Sequence, residues 1–327
     1  MRAIVIRGAG GPDVLEMRVV PAPEPDVGEV RVRVTASGVN RADLLQRRGR
    51  YPAPPGYPTD IPGMEYSGVV EAVGRGADSA LEGSRVMGIT GGGAYAERVV
   101  VPAATLVRVP ANLEPVEAGA IPEVFMTAFD AVFLQAGLGQ GETLLVHAVG
   151  SGVGTAALQL ARRAGARTLG TSRTPAKLER AVELGLDVPV HAGAEEGWPD
   201  EVLEATAGRG ADVVLDLVGA PYLEGNLRVL APSGRIMVVG TPAGARGAVD
   251  LGTLMRKRAT VRGTVLRARS TEEKAILARA FERDVVPGFE SGKLRPVVDR
   301  IYPADEAAAA HAWMEENGNF GKILLTW

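Results

Sequence analysis

No cysteine occurs in the 327 residues of this chain. That absence excludes disulfides, thiolate nucleophiles and every cysteine-ligated zinc or iron–sulfur centre. Histidine is scarce too. Three copies, His147, His191 and His311, form no catalytic pattern. Apolar runs are short: "MRAIVIRGAGG" holds a run of four apolar residues, well below the core of a signal peptide, and no window reaches the ~18 needed to span a membrane. A large charge imbalance is absent as well. A net charge of −3, without interleaved basic and aromatic residues, argues against nucleic acid or an anionic membrane as a partner. These absences together predict a cytoplasmic protein acting on a small molecule.

Hydrophobic residues make up 46% and charged residues 23%, ordinary values for a globular chain long enough for two domains. The first 120 or so residues read as β-rich. "EVRVRVTASGVN" alternates Val30, Val32 and Val34 with polar neighbours, as a half-buried strand does. "RGRYPAPPGYPTDIPG", Arg48 to Gly63, holds five prolines and predicts an ordered loop or lid. From about Pro122 the texture changes. A helical run, "EVFMTAFDAVFLQAGL", leads into strands expected at Thr143–His147, Arg167–Thr171, Val188–His191, Asp212–Leu217, Arg235–Val239 and Thr260–Val265, with helical segments between them. Six strands joined by crossovers imply a parallel sheet covered by helices on both faces. The tail, from "TEEKAILARAFERDVVPGFESG" to "GKILLTW", returns to mixed texture. Its last strand is too apolar to stand alone and is expected to complete the N-terminal domain.

"VHAVGSGVGTAALQLARRAGA" (Val146–Ala166) is the strongest local signal: a strand, a glycine turn, and a helix starting near Gly152. Glycine lets the backbone approach a pyrophosphate, and the helix start offers free N–H groups and a positive dipole end. The literal G-x-G-x-x-G is not met, because the sixth position from Gly150 is Thr155. About 20 residues on, an NAD site carries an acid for the ribose 2′-hydroxyl, whereas an NADP site needs cations or hydroxyls for a 2′-phosphate. Here the strand runs out at Ser172, followed by Arg173 and Lys177, and no acid lies between Gly154 and Glu179. The spacing predicts NADPH. The competing reading makes Arg173 and Lys177 a solvated helix start.

With "ASGVNRADLLQRRGRYPAPPG", "IPGMEYSGVVEAVG", "AIPEVFMTAF", "HAVGSGVGTAALQLAR", "DVVLDLVG", "GRIMVVGTPAG" and "FGKILLTW" in order, the chain resembles the medium-chain dehydrogenase/reductase superfamily over essentially its whole length. Within it, the likeness is to the zinc-independent quinone oxidoreductases related to zeta-crystallin. The resemblance implies an α/β fold: a discontinuous, β-rich GroES-like catalytic domain (1–121 and 266–327) around a six-stranded Rossmann domain (122–265). Zinc alcohol dehydrogenases of the superfamily hold a metal through a Cys, the His of Gly-His-Glu, and a further Cys or His. The matching places here read Asn40, Met64 and Glu123, which is no catalytic zinc site.

The implied reaction is hydride donation from NADPH to a quinone. The alternatives are an enone, 2-alkenal or enoyl-thioester reductase, or a non-catalytic nucleotide-binding protein. By resemblance Asn40, Asp43 and Tyr51 line the substrate cleft, where the Tyr51 phenol could meet developing negative charge. Asn40 and Asp43 can equally cap the helix "RADLLQRR", and Tyr51 can simply pack its loop. On the cofactor side the resemblance points to Thr127 at the nicotinamide and to Ser151, Gly152 and Val153 at the pyrophosphate. Leu217, Val218, Val239 and Thr241 are expected along the cofactor, with Lys322 near the phosphates. Glu65 and Glu123 read as structural. A homodimer through the sheet edge "TVRGTV" is expected by the same likeness.

Overall fold

In the computed structural model the chain opens with an antiparallel pair, β1 (Arg2–Ile6) and β2 (Leu15–Val19), and continues into the long strand β3 (Glu29–Val39). The valines of β3 alternate as read: Val30, Val32 and Val34 are buried in one cluster with Tyr66, Val70, Val86 and Val99. Helix α1 (Arg41–Arg47) follows, then β4 (Glu65–Val73), β5 (Arg85–Ile89), β6 (Arg98–Pro102) and β7 (Val107–Arg108). The proline-rich segment 48–63 forms no regular helix or strand. Two short helices, α2 (Pro115–Ala118) and α3 (Pro122–Ala128), precede a π-helical stretch, Phe129–Gln135.

Six strands then alternate with helices. They are β8 (Thr143–Val146), β9 (Arg167–Ser172), β10 (Val188–His191), β11 (Ala211–Asp216), β12 (Leu230–Val238) and β13 (Thr260–Gly263). Between them run α4 (Gly152–Arg163), α5 (Pro175–Glu183), α6 (Trp198–Ala205), α7 (Leu223–Val229) and α8 (Leu251–Lys257). The sheet is parallel throughout, in the order β10-β9-β8-β11-β12-β13. The segment "PYLEGNLRVLAPSG" is helical only in part, because Leu230 already begins β12 and pairs with Ala211.

The chain returns with α9 (Thr271–Asp284), α10 (Val286–Glu290), β14 (Val298–Pro303), α11 (Ala307–Glu315) and β15 (Lys322–Thr326). The segment "TEEKAILARAFERDVVPGFESG" thus forms two helices, with Pro287 in the first turn of the second. β15 pairs antiparallel with β3 and parallel with β14, inside a seven-stranded sheet that also contains β4, β5, β6 and β7. Ile323, Leu324 and Leu325 are fully buried there, which explains why so apolar a tail could not stand exposed. The structure describes residues 1–193 and 197–327. Contacts divide them into two compact units: Met1–Met126 with Leu266–Trp327, and Thr127–Val265. Among the described residues no helix is long and apolar enough to cross a membrane.

Candidate functional site

In the first unit the resemblance set aside Asn40, Asp43 and Tyr51 for substrate and Lys322 for phosphate. The fold gathers three of these four into one buried polar cluster. β15 carries Lys322 to β3, where its ammonium donates to the carbonyl of Val39 (2.7 Å) and to Asn40 Oδ1 (2.7 Å), and pairs with Glu65 Oε1 at 2.6 Å. Glu65 is fully buried and Lys322 nearly so. All three ammonium hydrogens are thereby used. The resemblance set Lys322 near the phosphates; in this structure its ammonium is engaged within the first unit.

Asn40 and Asp43 are engaged in the same cluster. The Asn40 amide donates to Glu65 Oε1 (2.9 Å) and to the Gly38 carbonyl (3.2 Å), besides accepting from Lys322. Asp43 is fully buried three residues into α1. Its carboxylate accepts from the backbone of Asn40 (2.8 Å) and Gly63 (3.1 Å), as an acid in the first turn of a helix does. Burial pushes its pKa up to about 6, against those bonds and the charges of Arg267 and Lys322. Both side chains serve the start of α1 and the Lys322–Glu65 cluster in this structure.

Glu123 differs from its neighbours. Its backbone N–H donates to Glu65 Oε2 at 2.9 Å, but its carboxyl makes no hydrogen bond among the described residues, and the residue is half-buried. Burial first, then the Glu65 carboxylate, pushes its pKa up to about 8, with Lys322 and Arg267 opposing. The sign for stability follows. The folded state holds the proton more tightly than an unfolded carboxyl, so this contribution is complete below about 4.5 and is lost as pH rises through about 8. Glu123→Gln, which cannot ionise, is expected to match wild type near pH 5 and to exceed it by about 2 kcal/mol near pH 9, a figure reduced for the group's solvent access. Thermal melts at the two pH values check this. A gap that does not widen with pH would refute it.

Tyr51 is the one residue of the proposed substrate set whose reactive atom is unspent. Its hydroxyl has no hydrogen-bond partner among the described residues, and burial raises the phenol, so it stays a neutral donor. Arg267 holds it in place. That buried guanidinium lies 5.0 Å from the Tyr51 ring centroid and donates to the carbonyls of Tyr51 (3.0 Å) and Gly91 (2.8 Å) and to Gln46 Oε1 (2.5 Å). Arg267 carries no local signal in the sequence, since its partner Tyr51 lies 216 residues away.

Zinc chemistry can be tested on these donors. Met64 is a buried thioether, Asn40 is an engaged amide, and Glu65 is already paired with the Lys322 ammonium. Among the described residues no group of three His, Cys, Asp or Glu side chains could hold a metal. The residues present do not fit a catalytic zinc.

In the second unit the glycine turn joins β8 to α4. Ser151 caps the helix, its hydroxyl accepting from Gly154 N at 3.1 Å, and Ala148 takes the left-handed backbone (φ 49°) that a non-glycine residue rarely adopts. The amides of Gly152 and Val153 have no partner among the described residues and stand at the helix start, where an anion is favoured. A Cβ on Gly154 would fall 2.6 Å from the Val149 carbonyl and 2.7 Å from that of Ala148. The close-packing glycine thus sits one place before the sixth position of the usual fingerprint, and this explains the mismatch at Thr155.

β9 ends at Ser172, whose hydroxyl exchanges bonds with the Thr174 backbone, while the Arg173 side chain is exposed and Lys177 half-buried. Leu217 and Val218 follow β11 and are half-buried; Thr127 is buried at the start of the unit. Val239 and Thr241 line an open pocket of about 340 Å³ after β12. Ser151, Ser172, Leu217, Val218, Val239 and Thr241 therefore all lie at the carboxyl ends of the parallel strands, where such sheets bind ligands. The arrangement fits a dinucleotide.

Comparison with known proteins agrees. Residues 26–111 match the alcohol dehydrogenase GroES-like domain and residues 152–282 the zinc-binding dehydrogenase family. The chain is 32% identical to the quinone oxidoreductase of Lama guanicoe, over 99% of its own length and 97% of that protein. Among solved structures, it is similar to an NAD-dependent alcohol dehydrogenase (37% identity, TM-score 0.89, all of both chains). It is also similar to a mycobacterial protein complexed with NADPH (30%, TM-score 0.89, all of both chains) and to the CurK enoyl reductase (26%, TM-score 0.86, 99% and 98%). This chain belongs to the medium-chain dehydrogenase/reductase superfamily, in its quinone oxidoreductase branch.

Proposed function

We propose that the protein is an NADPH-dependent reductase of quinones that works without zinc. The observation that carries the cofactor half is the end of β9: a hydroxyl, an exposed guanidinium and a nearby ammonium, with no carboxylate to accept from a ribose 2′-hydroxyl. The Lys322–Glu65–Asn40 cluster supports the zinc-free half, because it uses the groups that a metal would need. The quinone half rests on the relatives. The enoyl reductase likeness keeps enones and enoyl thioesters as a second reading.

Bound at the second unit, a nicotinamide supplies hydride. The amides of Gly152 and Val153 would hold the pyrophosphate of the dinucleotide, and Arg173 with Lys177 would face its 2′-phosphate. In the first unit Tyr51 is the neutral donor on offer to a substrate oxygen that gains charge, and Arg267 orients its phenol. One set of assays tests this. NADPH oxidation should run with quinones and survive chelators. NADPH should bind at least tenfold tighter than NADH, and Arg173→Ala should remove most of that margin. Tyr51→Phe should lower turnover about tenfold with little change in KM, less than a fully enclosed donor would cost. Equal affinity for NADH and NADPH would sink the cofactor reading, and a fully active Phe variant would take Tyr51 out of the chemistry.

The same reading includes a homodimer. β13 is an edge strand with every residue exposed, and Leu251 and Met255 of α8 are 70% and 75% exposed. An open edge beside apolar side chains is a surface for pairing with a second copy. Sedimentation at micromolar concentration should find a dimer; a monomer alone would count against it.

A further inference from the structure

Beneath the carboxyl ends of the central strands of the second unit lies a buried polar chain that the proposed reaction does not use. His147 follows β8 directly and is fully buried, as is Asn226 on α7, and Asp216 at the end of β11 is nearly so. His147 Nε2 lies 2.6 Å from Asn226 Oδ1, and Nδ1 lies 2.9 Å from the Thr171 hydroxyl on β9. Asn226 Nδ2 donates to Asp216 Oδ2 at 3.0 Å. The direction of the Asn226–His147 link follows from that last one, and that of the Thr171 link from a neutral ring. Asn226 turns its amide nitrogen to the carboxylate, so its oxygen must accept from His147 Nε2–H. The ring is then the neutral Nε2–H tautomer, and its Nδ1 accepts from the Thr171 hydroxyl. Burial holds the imidazole below its ordinary pKa, in keeping with a neutral ring.

Each link ends on a different turn. Asp216 Oδ1 takes the backbone amides of Val218 and Gly219, both at 2.8 Å. Gly219 has φ 102°, and a Cβ there would fall 2.5 Å from the Gly244 carbonyl and 2.8 Å from Thr241 Cα. Ala220 N donates to the Gly244 carbonyl (2.9 Å) and Ala243 N to that of Val218 (3.0 Å), so the turn after β11 is seated on the turn after β12. At the other end, Thr171 precedes Ser172, and its carbonyl accepts from Val149 N in the glycine turn at 3.0 Å. The rings of Trp198 and Tyr222 meet His147 edge-on, with centroids 4.9 and 4.8 Å away. An apolar side chain would fill such a pocket at no polar cost. A fully satisfied relay, tied at each end to a turn, fixes their relative positions instead.

We infer that Thr171, His147, Asn226 and Asp216 form a positioning relay that holds the turns after β8, β9, β11 and β12 in the register needed to bind a dinucleotide. The inference rests on the dinucleotide reading above, and goes beyond it in naming groups that touch no ligand yet set its affinity.

The test is NADPH binding, read by fluorescence at a temperature well below the melting transition, together with steady-state kinetics. Asn226→Leu should weaken NADPH binding about tenfold and raise the KM for NADPH alike, while turnover at saturating NADPH stays within about threefold of wild type. Thr171→Val, a gentle change that removes one donor, should weaken binding about threefold. His147→Gln keeps a donor and an acceptor and should bind more tightly than His147→Leu. If Asn226→Leu does not fold, Thr171→Val and the His147 pair carry the test. Lower melting temperatures with unchanged affinity in these variants would overturn the relay and leave the dinucleotide reading standing. A wild type that binds neither NADPH nor NADH would overturn both.

Discussion

Lys322→Met is expected to destabilise the first unit by about 3–5 kcal/mol, the range for removing one partner of a buried ion pair. The reason lies in what remains. Glu65 is fully buried, and its carboxylate keeps the Asn40 amide and the Glu123 N–H as partners but loses the cation paired with it among the described residues. Glu123 and Asp43 stand close by, so the uncompensated charge has acidic neighbours as well. Methionine fills most of the volume, so the loss reports charge more than packing. For a unit of this size the melting midpoint should fall by roughly 10 °C. The double variant Lys322→Met/Glu65→Gln removes both charges together and should recover more than half of the loss. A single variant that melts within 2 °C of wild type would show that the pair carries little of this unit's stability.

Gly154→Ala should weaken dinucleotide binding about 100-fold and also destabilise the second unit. One methyl group is enough, because its carbon would sit 2.6 and 2.7 Å from two backbone carbonyl oxygens, where no rotamer change can relieve it. α4 must then move away from the turn, carrying with it the Gly152 and Val153 amides proposed to hold the phosphate. A displacement of that kind costs about 3 kcal/mol at the upper end of overpacking, equivalent to about two decades in affinity. Gly139→Ala serves as the control in the same unit, since its nearest atom would be a flexible Glu142 oxygen at 3.8 Å. Titration of both variants with NADPH makes the comparison. Near wild-type affinity in Gly154→Ala would mean that the turn does not hold the phosphate.

Much of the fold was legible because its signals are short in range. Alternating valines placed β3, six apolar segments placed the parallel strands within a few residues, and the apolar tail announced that it must return to the first unit. Boundaries were less certain where tertiary pairing competes with local pattern: Leu230 leaves a helix-like run to begin β12 because Ala211 offers it a ladder partner. The glycine turn was also legible, although Thr155 at the sixth position obscured which glycine packs against the strand. Some glycines could not be read at all. Gly38 is required because a Cβ there would lie 2.1 Å from Glu65 Oε1, a contact between two different strands.

The candidate site divides along the same line. The sequence by itself determined which chemistries were available: no thiol, no histidine triad, no zinc ligand set, and cations without an acid at the end of β9. Only the tertiary structure decided which of those groups remain free. Asn40, Asp43 and Lys322 have the right chemistry for substrate or phosphate, yet each is spent on partners inside the first unit, one of them 282 residues away. Tyr51 keeps its hydroxyl because Arg267, brought from the far side of the second unit's sequence, engages its ring and carbonyl instead. Residue type and local periodicity are properties of neighbours along the chain, whereas the partner that uses up a donor is chosen by packing between segments distant in sequence.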